Sequence, residues 1–221
     1  MKMSIIDLSH TITNETVSYK GFPAPIICDY ISREQSRQFY EEGTSFQIAR
    51  MDMVTNTGTY LDSPFHRYAH GKDLSELSLQ RLVRIPAVVV RNSWKTKLET
   101  DVDDLLHLDV KDKAVLIHTG WDKNWMTDAY FHNHPFVTSA AADWLYKHGA
   151  CLVGIDSHNI DDTRGKERPV HSILLHQDIY IVEHLCNLNQ IPEESAPLFT
   201  AAPPKIKGVG TFPVRAYVEI P

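Results

Sequence analysis

The sequence predicts an α/β fold, on three observations: several short apolar runs rich in β-branched residues, an amphipathic helical segment set between two of them, and a size suited to one core. In chain order the runs are Ile5 to Leu8, Ala87 to Val90, Ala114 to His118, Cys151 to Ile155 and Ile179 to Val182. Most are apolar throughout, as in strands buried on both faces. Thr138 stands where it can cap a helix in which Ala141, Trp144, Leu145 and His148 share one face, with Gly149 as terminator. Strand, helix, strand in that order implies an α/β layer. Between Leu74 and Leu82 the leucines at 74, 77, 79 and 82 fit either a short helix or an irregular packed arm. Proline and glycine gather at Gly21 to Pro25 and at Pro203 to Pro213, in stretches too short to be linkers, so residues 1–221 read as a single domain.

Composition narrows the function classes. The chain of 221 residues is 43% hydrophobic and 23% charged, with net charge −6. Its basic residues are scattered, which argues against nucleic acid or anionic lipid as a partner. Met1 to Thr13 lacks the apolar core of a signal peptide, and no later run is long enough to span a bilayer, so a cytoplasmic protein is expected. Cys28, Cys151 and Cys186 form no C-x-x-C pair and read as core thiols. The 12 histidines justify a search for a metal or acid–base site.

The densest segment for that search runs from Asn56 to His66. It packs Gly58, Thr57, Thr59, Asp62, Pro64 and His66 into poor core material. Pro64 fixes a turn, and Asp62 and His66, four apart, can meet if a helical turn intervenes. The residues alone fit two readings: an acid–base pair, or an Asp-Ser-Pro turn with a capping aspartate and a solvated histidine. His132 and His134 also resemble a metal pair by their spacing, although Pro135 favours a surface turn.

Taken with other fragments, this segment resembles the signature H-x-G-T-H-x-D-x-P-x-H of the cyclase-like family of metal-dependent hydrolases, which includes kynurenine formamidase and isatin hydrolase. Gly58, Thr59, Asp62, Pro64 and His66 fall in register. Asp7 to His10, Leu116 to Trp121, Gly154 to Asp156 with Asp161, the pair His171 and Glu183, and Pro213 to Arg215 follow in the family's order. The resemblance implies a cyclase-like fold of the swivelling β/β/α type with a mixed β-sheet core. It also implies a small-molecule substrate, a homodimer or higher homo-oligomer, and zinc or manganese as cofactor. Carried over by position, it makes Asp62, His171 and Glu183 metal ligands and His66, with Asp62, the acid–base pair.

The chain departs from the signature at two ligand positions, where Asn56 and Tyr60 replace histidines. An asparagine offers only a neutral carbonyl oxygen, and a tyrosine binds metal well only after losing a proton near pH 10. A structural zinc site is worth roughly 10–16 kcal/mol over about four ligands, so two losses weaken binding by orders of magnitude. Asn159 stands where the family often has serine, and the adjacent His158 could replace a lost ligand or be an ordinary loop residue. The family's own His-Pro at His134–Pro135 again favours a turn there. Aromatic residues such as Phe46 and the stretch from Trp121 to Phe131 could line an interface or a pocket. Three functions follow. The first is hydrolysis of a small-molecule amide, arylformamidase-like, with N-formylkynurenine one candidate substrate and tryptophan catabolism the setting it would imply. The second is metal-free acid–base catalysis by a dehydratase or isomerase. The third is non-catalytic binding of a small molecule.

Overall fold

A computed structural model describes residues 4–221; Met1 to Met3, the start of the segment read for a signal peptide, lie outside the described residues. Strands and α-helices are numbered in chain order. One nine-stranded sheet runs in the order β1 (Ser4–Asp7), β13 (Tyr217–Ile220), β11 (Leu198–Thr200), β5 (Ile85–Arg91), β7 (Ala114–His118), β9 (Leu152–Ile155), β10 (Tyr180–Glu183), β4 (Tyr60–Asp62) and β12 (Thr211–Pro213). The central four, β5, β7, β9 and β10, pair in parallel, and both flanks are antiparallel, so the sheet is mixed.

The apolar runs form the centre because a parallel strand with both faces covered needs apolar residues on each. Alternation divides them between two cores. Ala114, Leu116, Leu152, Tyr180 and Val182 pack with Leu8, Leu61, Phe199 and Val218. Val115, Ile117, Val153, Ile155 and Ile181 pack with the helices α2 (Ser139–Lys147) and α3 (Pro169–His176) through Ala141, Leu145, Val170 and Leu174. Each fully buried aliphatic side chain contributes about 1.5–3 kcal/mol relative to exposure. Thr138 caps α2 by accepting from the Ala141 N–H at 3.1 Å, and Gly149 ends it at φ +79°. The buried stripe of α2 is Ala141, Ala142 and Leu145; His148, expected on it, is instead exposed and stacks on Trp144 at 3.9 Å.

Other expectations change for identifiable reasons. Ile5 is exposed because β1 is an edge strand paired only with β13. Leu74 to Leu82 is an irregular arm closed by a 3-10 turn at Leu79–Arg81, with Leu74 and Leu82 buried and Leu79 exposed. Of the supposed core thiols only Cys186 is buried; Cys151 is half-buried and Cys28 exposed. Cys28 lies in β2 (Ile26–Ile31), which pairs with β3 (Ile48–Asp52) across a segment holding α1 (Arg33–Ser36), away from the main sheet. Ile26, Tyr30, Ile48 and Met51 of this arm are exposed, and Phe46 packs there against Phe39 and Tyr40. By contrast Trp121 and Tyr130 are core residues, joined by a bond from Trp121 Nε1 to the Tyr130 carbonyl at 3.0 Å. A last pair, β6 (Glu99–Thr100) with β8 (Phe136–Val137), is short and parallel. Among the described residues no helix is long and apolar enough to cross a membrane.

Candidate functional site

The register of three strands builds the floor of the site. β4 lies between β10 and β12, with Tyr60 opposite Glu183 and Asp62 opposite Thr211. Residues two apart and residues directly opposite share a face of a sheet. Tyr60, Asp62, Glu183 and Thr211 therefore point to one side, and all four are buried. The chain then turns at Pro64–His66, a 3-10 turn that returns His66 over its own strand and sets its Nδ1 3.6 Å from Asp62 Oδ1. This turn is cradled closely: a Cβ on Gly210 would lie 2.4 Å from the His66 nitrogen, and one on Gly71 would lie 2.6 Å from the Pro64 carbonyl carbon. Only glycine permits such an approach.

His171 comes from α3, on the opposite wall. Asp161 holds the start of that helix, accepting the N–H of Val170 at 2.7 Å and of His171 at 3.1 Å. The same carboxylate takes the His171 Nδ1 at 2.6 Å, which fixes the ring and turns Nε2 to within 3.7 Å of both Asp62 Oδ2 and Glu183 Oε1. A histidine braced by a carboxylate on one nitrogen and bare on the other is the usual arrangement behind a metal ligand. Thr211 treats His66 similarly. Its hydroxyl proton goes to Asp62 Oδ1, so its oxygen accepts from His66 Nδ1 at 2.9 Å, and His66 Nε2 is left without a protein partner among the described residues.

Charge is concentrated here. Burial works against a charged His171, but the charges of Glu183 and Asp62 and the bond to Asp161 outweigh it and push the imidazole up to about 10. Burial lifts Glu183 to about 7 against the pull of His171. Asp62 stays below the usual carboxylate range although it is buried, held there by His66, His171 and the Thr211 bond. Burial and the charges of Glu183 and Asp62 raise the Tyr60 phenol well above its ordinary value, so it remains a neutral donor. It donates to Glu183 Oε2 at 2.6 Å, while the Ile160 N–H donates to Oε1 at 2.6 Å.

The structure thus brings Asp62, His66, His171 and Glu183 together, with Asn56 and Tyr60 on the wall of the same cleft of about 190 Å³. The donor chemistry suits a divalent cation. Asp62, His66 and His171 each offer an atom within 4.8 Å of the others, and Asp62 Oδ2 is a buried oxygen with no partner. Glu183 stands beside this group with both oxygens engaged. His158 is the loop residue that the second reading expects, buried among Tyr19, Tyr130, Phe131 and His134, and it does not line the cleft. His134, expected in a surface turn, is buried and bonds Thr163 at 2.7 Å, whereas His132 is exposed. Thr211, Tyr19, Phe22, Arg67 and Arg168 join the site without any motif in the sequence to mark them, and Asp161 gains its role only from the fold. The spacing of Asp161 from Pro169–Val170–His171 was the one available signal.

Residues 6–162 match the family described as "Putative cyclase". The chain is 31% identical over 176 residues to kynurenine formamidase of Geobacillus thermodenitrificans (strain NG80-2), covering 79% of this chain and 81% of that protein. It superposes with TM-score 0.80 and 26% identity on a potential metal-dependent hydrolase with cyclase activity, over 99% of this chain and 98% of the other. Isatin hydrolase A from Labrenzia aggregata shares the fold at TM-score 0.83 and 21% identity, over 99% and 94% of the two chains. With more than two thirds of its length matched by the family and its fold matched throughout, the chain belongs to the cyclase family.

Proposed function

We propose that this protein hydrolyses the amide bond of a small aryl amide, an arylformamidase-like reaction with N-formylkynurenine among the candidate substrates. The observation that carries the reading is the convergence of Asp62, His66, His171 and Glu183 on one cleft walled by Tyr19 and Phe22. Its volume of about 190 Å³ is below the roughly 300–1,000 Å³ of pockets for drug-sized ligands, which suits one ring and its reacting group. Relatives named kynurenine formamidase and neighbours named isatin hydrolase support the same chemistry.

Asp62 and His171, the buried pair with facing bare atoms, would hold a zinc or manganese ion, with Glu183 behind them. A divalent cation bound there supplies hydroxide near neutral pH and polarises the substrate carbonyl. His66, the exposed member of the group, moves the proton: with Nδ1 bonded to Thr211, its free Nε2 can take a proton and return it to the leaving nitrogen. The amides of Asn56 and Asn159 line the cleft with their oxygens engaged, by the Thr55 hydroxyl at 3.4 Å and the Asp161 N–H at 3.0 Å. The NH₂ group of Asn159 is left to donate to the substrate oxygen, and that of Asn56, which also donates to the Tyr60 oxygen, keeps one proton for it. The direct test is turnover of formanilides by protein treated with chelator, then with zinc or manganese added back. Turnover that survives chelation would favour metal-free acid–base chemistry by His66 and Asp62.

The β2–β3 arm supports a homo-oligomer as the working form. The chain exposes 11840 Å², against about 10,300 Å² expected of a compact monomer of 25.2 kDa. A two-stranded sheet is marginal alone, and this one presents Ile26, Tyr30, Ile48 and Met51 to solvent. Light scattering on the purified protein tests this; a monomer at micromolar concentration would refute it.

A further inference from the structure

The rim of the same cleft carries two guanidinium groups that the chemistry above does not use. Arg67 follows His66 directly, Arg168 precedes α3, and both line the cleft. They are tied together through α3: Arg67 Nε donates to Ser172 Oγ at 3.2 Å, and the Ser172 hydroxyl donates to the Arg168 carbonyl at 2.8 Å. Arg168 Nη1 is further held by the carbonyls of Gly165 at 3.0 Å and Glu167 at 2.7 Å. These bonds place the side chains without neutralising them. Arg84, Arg91, Arg164 and Arg215 each pair with a carboxylate; among the described residues Arg33, Arg37, Arg50, Arg67, Arg81 and Arg168 do not, and of these Arg67 and Arg168 line the cleft. Both Nη atoms of Arg67, and Nε and Nη2 of Arg168, have no protein partner there.

Their setting is otherwise hostile to an anion. The chain carries net charge −6, and Glu183 lines the cleft with the carboxylate of Asp62 buried beside His171 beneath it. Two guanidiniums without a carboxylate partner put positive charge at the rim, and their forked donors match a carboxylate better than a point charge would. We propose that Arg67 and Arg168 form a subsite for a carboxylate on the substrate. On the hydrolase reading, from which this inference starts, the substrate class is an N-acyl aryl amine with an acidic side arm. The ring lies against Tyr19 and Phe22, the amide reaches Asp62 and His171, and the acid stays at the rim.

The test compares a formanilide bearing a carboxylate side arm with its methyl ester. The parent should favour the acid in kcat/KM, mainly through KM, and Arg67→Gln with Arg168→Gln should reduce that preference roughly ten- to hundred-fold. Arg→Lys at both positions should retain part of it. Equal kcat/KM for acid and ester in the parent, or a proportional loss of both in the double variant, overturns the subsite. Benzoate and benzamide, titrated by calorimetry against the same proteins, read the subsite without turnover. Arginine-dependent benzoate binding in a protein that cleaves neither formanilide would sink the hydrolase reading alone. Hydrolysis with benzoate bound no more tightly than benzamide would sink the subsite alone.

Discussion

Replacing Tyr60 by phenylalanine removes one oxygen from the centre of the site, together with the hydrogen bonds it makes. The hydroxyl donates to Glu183 Oε2 at 2.6 Å and lies 3.3 Å from His184 Nε2, and the ring packs edge-on against His184 at 5.0 Å. Phenylalanine keeps that packing, so no cavity opens. What changes is two buried groups: Glu183, a carboxylate that retains only the Ile160 N–H, and His184, whose Nε2 loses its partner. Leaving a buried acceptor short of a partner costs about 1–3 kcal/mol, toward the upper end for a charged group. In a chain of this length each kcal/mol moves Tm by about 2–4 °C, so a fall of about 5–10 °C is expected at pH 8. The sign with pH follows from Glu183. Its folded value near 7 lies above the ordinary 4.5, so the carboxyl destabilises the fold as pH rises through about 7 and does not below 4.5. Loss of the Tyr60 donor should therefore be felt fully at pH 8 and much less at pH 5. Calorimetry of Tyr60→Phe, Glu183→Gln and the double variant at both pH values provides the assay. A Tm within 1 °C of the parent at pH 8, or no coupling between the two changes (below ~0.5 kcal/mol), would refute the reasoning.

Other changes probe the same cluster from different sides. His66→Ala should lower turnover roughly a hundred- to ten-thousand-fold while leaving Tm nearly unchanged, because the ring is partly exposed and adds proton transfer rather than packing; a loss of tenfold or less would move the proton-transfer role elsewhere. The same variant should alter zinc affinity only a few-fold, and a drop of several orders of magnitude would make His66 a ligand instead. Replacing both Asn56 and Tyr60 with histidine should tighten zinc or manganese binding by several kcal/mol, read by calorimetry at one pH, since each imidazole adds a neutral nitrogen donor; equal affinities would show that the new rings do not reach the ion. Metal affinity should rise with pH from 6 to 9 and binding should release a proton, because His171, pushed up to about 10, must lose one to coordinate. In the metal-free protein the stability from His171 is complete below its ordinary 6.5 and disappears as pH rises through about 10. A pH-independent affinity would contradict a protonated His171.

The fold was most legible where a local pattern had one physical solution. The runs at Ala114, Cys151 and Ile179 are apolar on both faces, and only a strand covered on both sides uses such residues. Thr138 and Gly149 mark their helix through chemistry confined to its two ends. Legibility fell where exposure depends on distant partners. Ile5 has the composition of a central strand but lies at an edge, and Cys28 belongs to an arm that leaves the main sheet. Nothing within either segment records that placement. His148 shows the same limit on a smaller scale: of its expected stripe Ala141 and Leu145 are buried and Trp144 is half-buried, while His148, at the helix C-cap, bonds and stacks on Trp144 in solvent.

The candidate site divides in the same way. Asp62, His66, His171 and Glu183 could be named in advance because the resemblance gave their order along the chain, but order carries no hydrogen bonds. That Tyr60 occupies the Glu183 carboxylate follows from their being directly opposite across β4 and β10, a register that joins residues 123 apart. Viewed only as a failed ligand, Tyr60 is a loss; in the register it is a donor that keeps a buried carboxylate satisfied. Thr211 and Gly210 were invisible for a related reason. Their strand lies against β4 at the far end of the sequence, and a short Gly-Thr-Phe-Pro stretch announces neither its neighbour nor the fact that a side chain on Gly210 would collide with the backbone of His66. The two departures from the family signature therefore have different consequences. Asn56 leaves its position with a neutral amide on the cleft wall, while Tyr60 commits Glu183 to the protein, so placing a histidine at Tyr60 changes two potential ligands and placing one at Asn56 changes one.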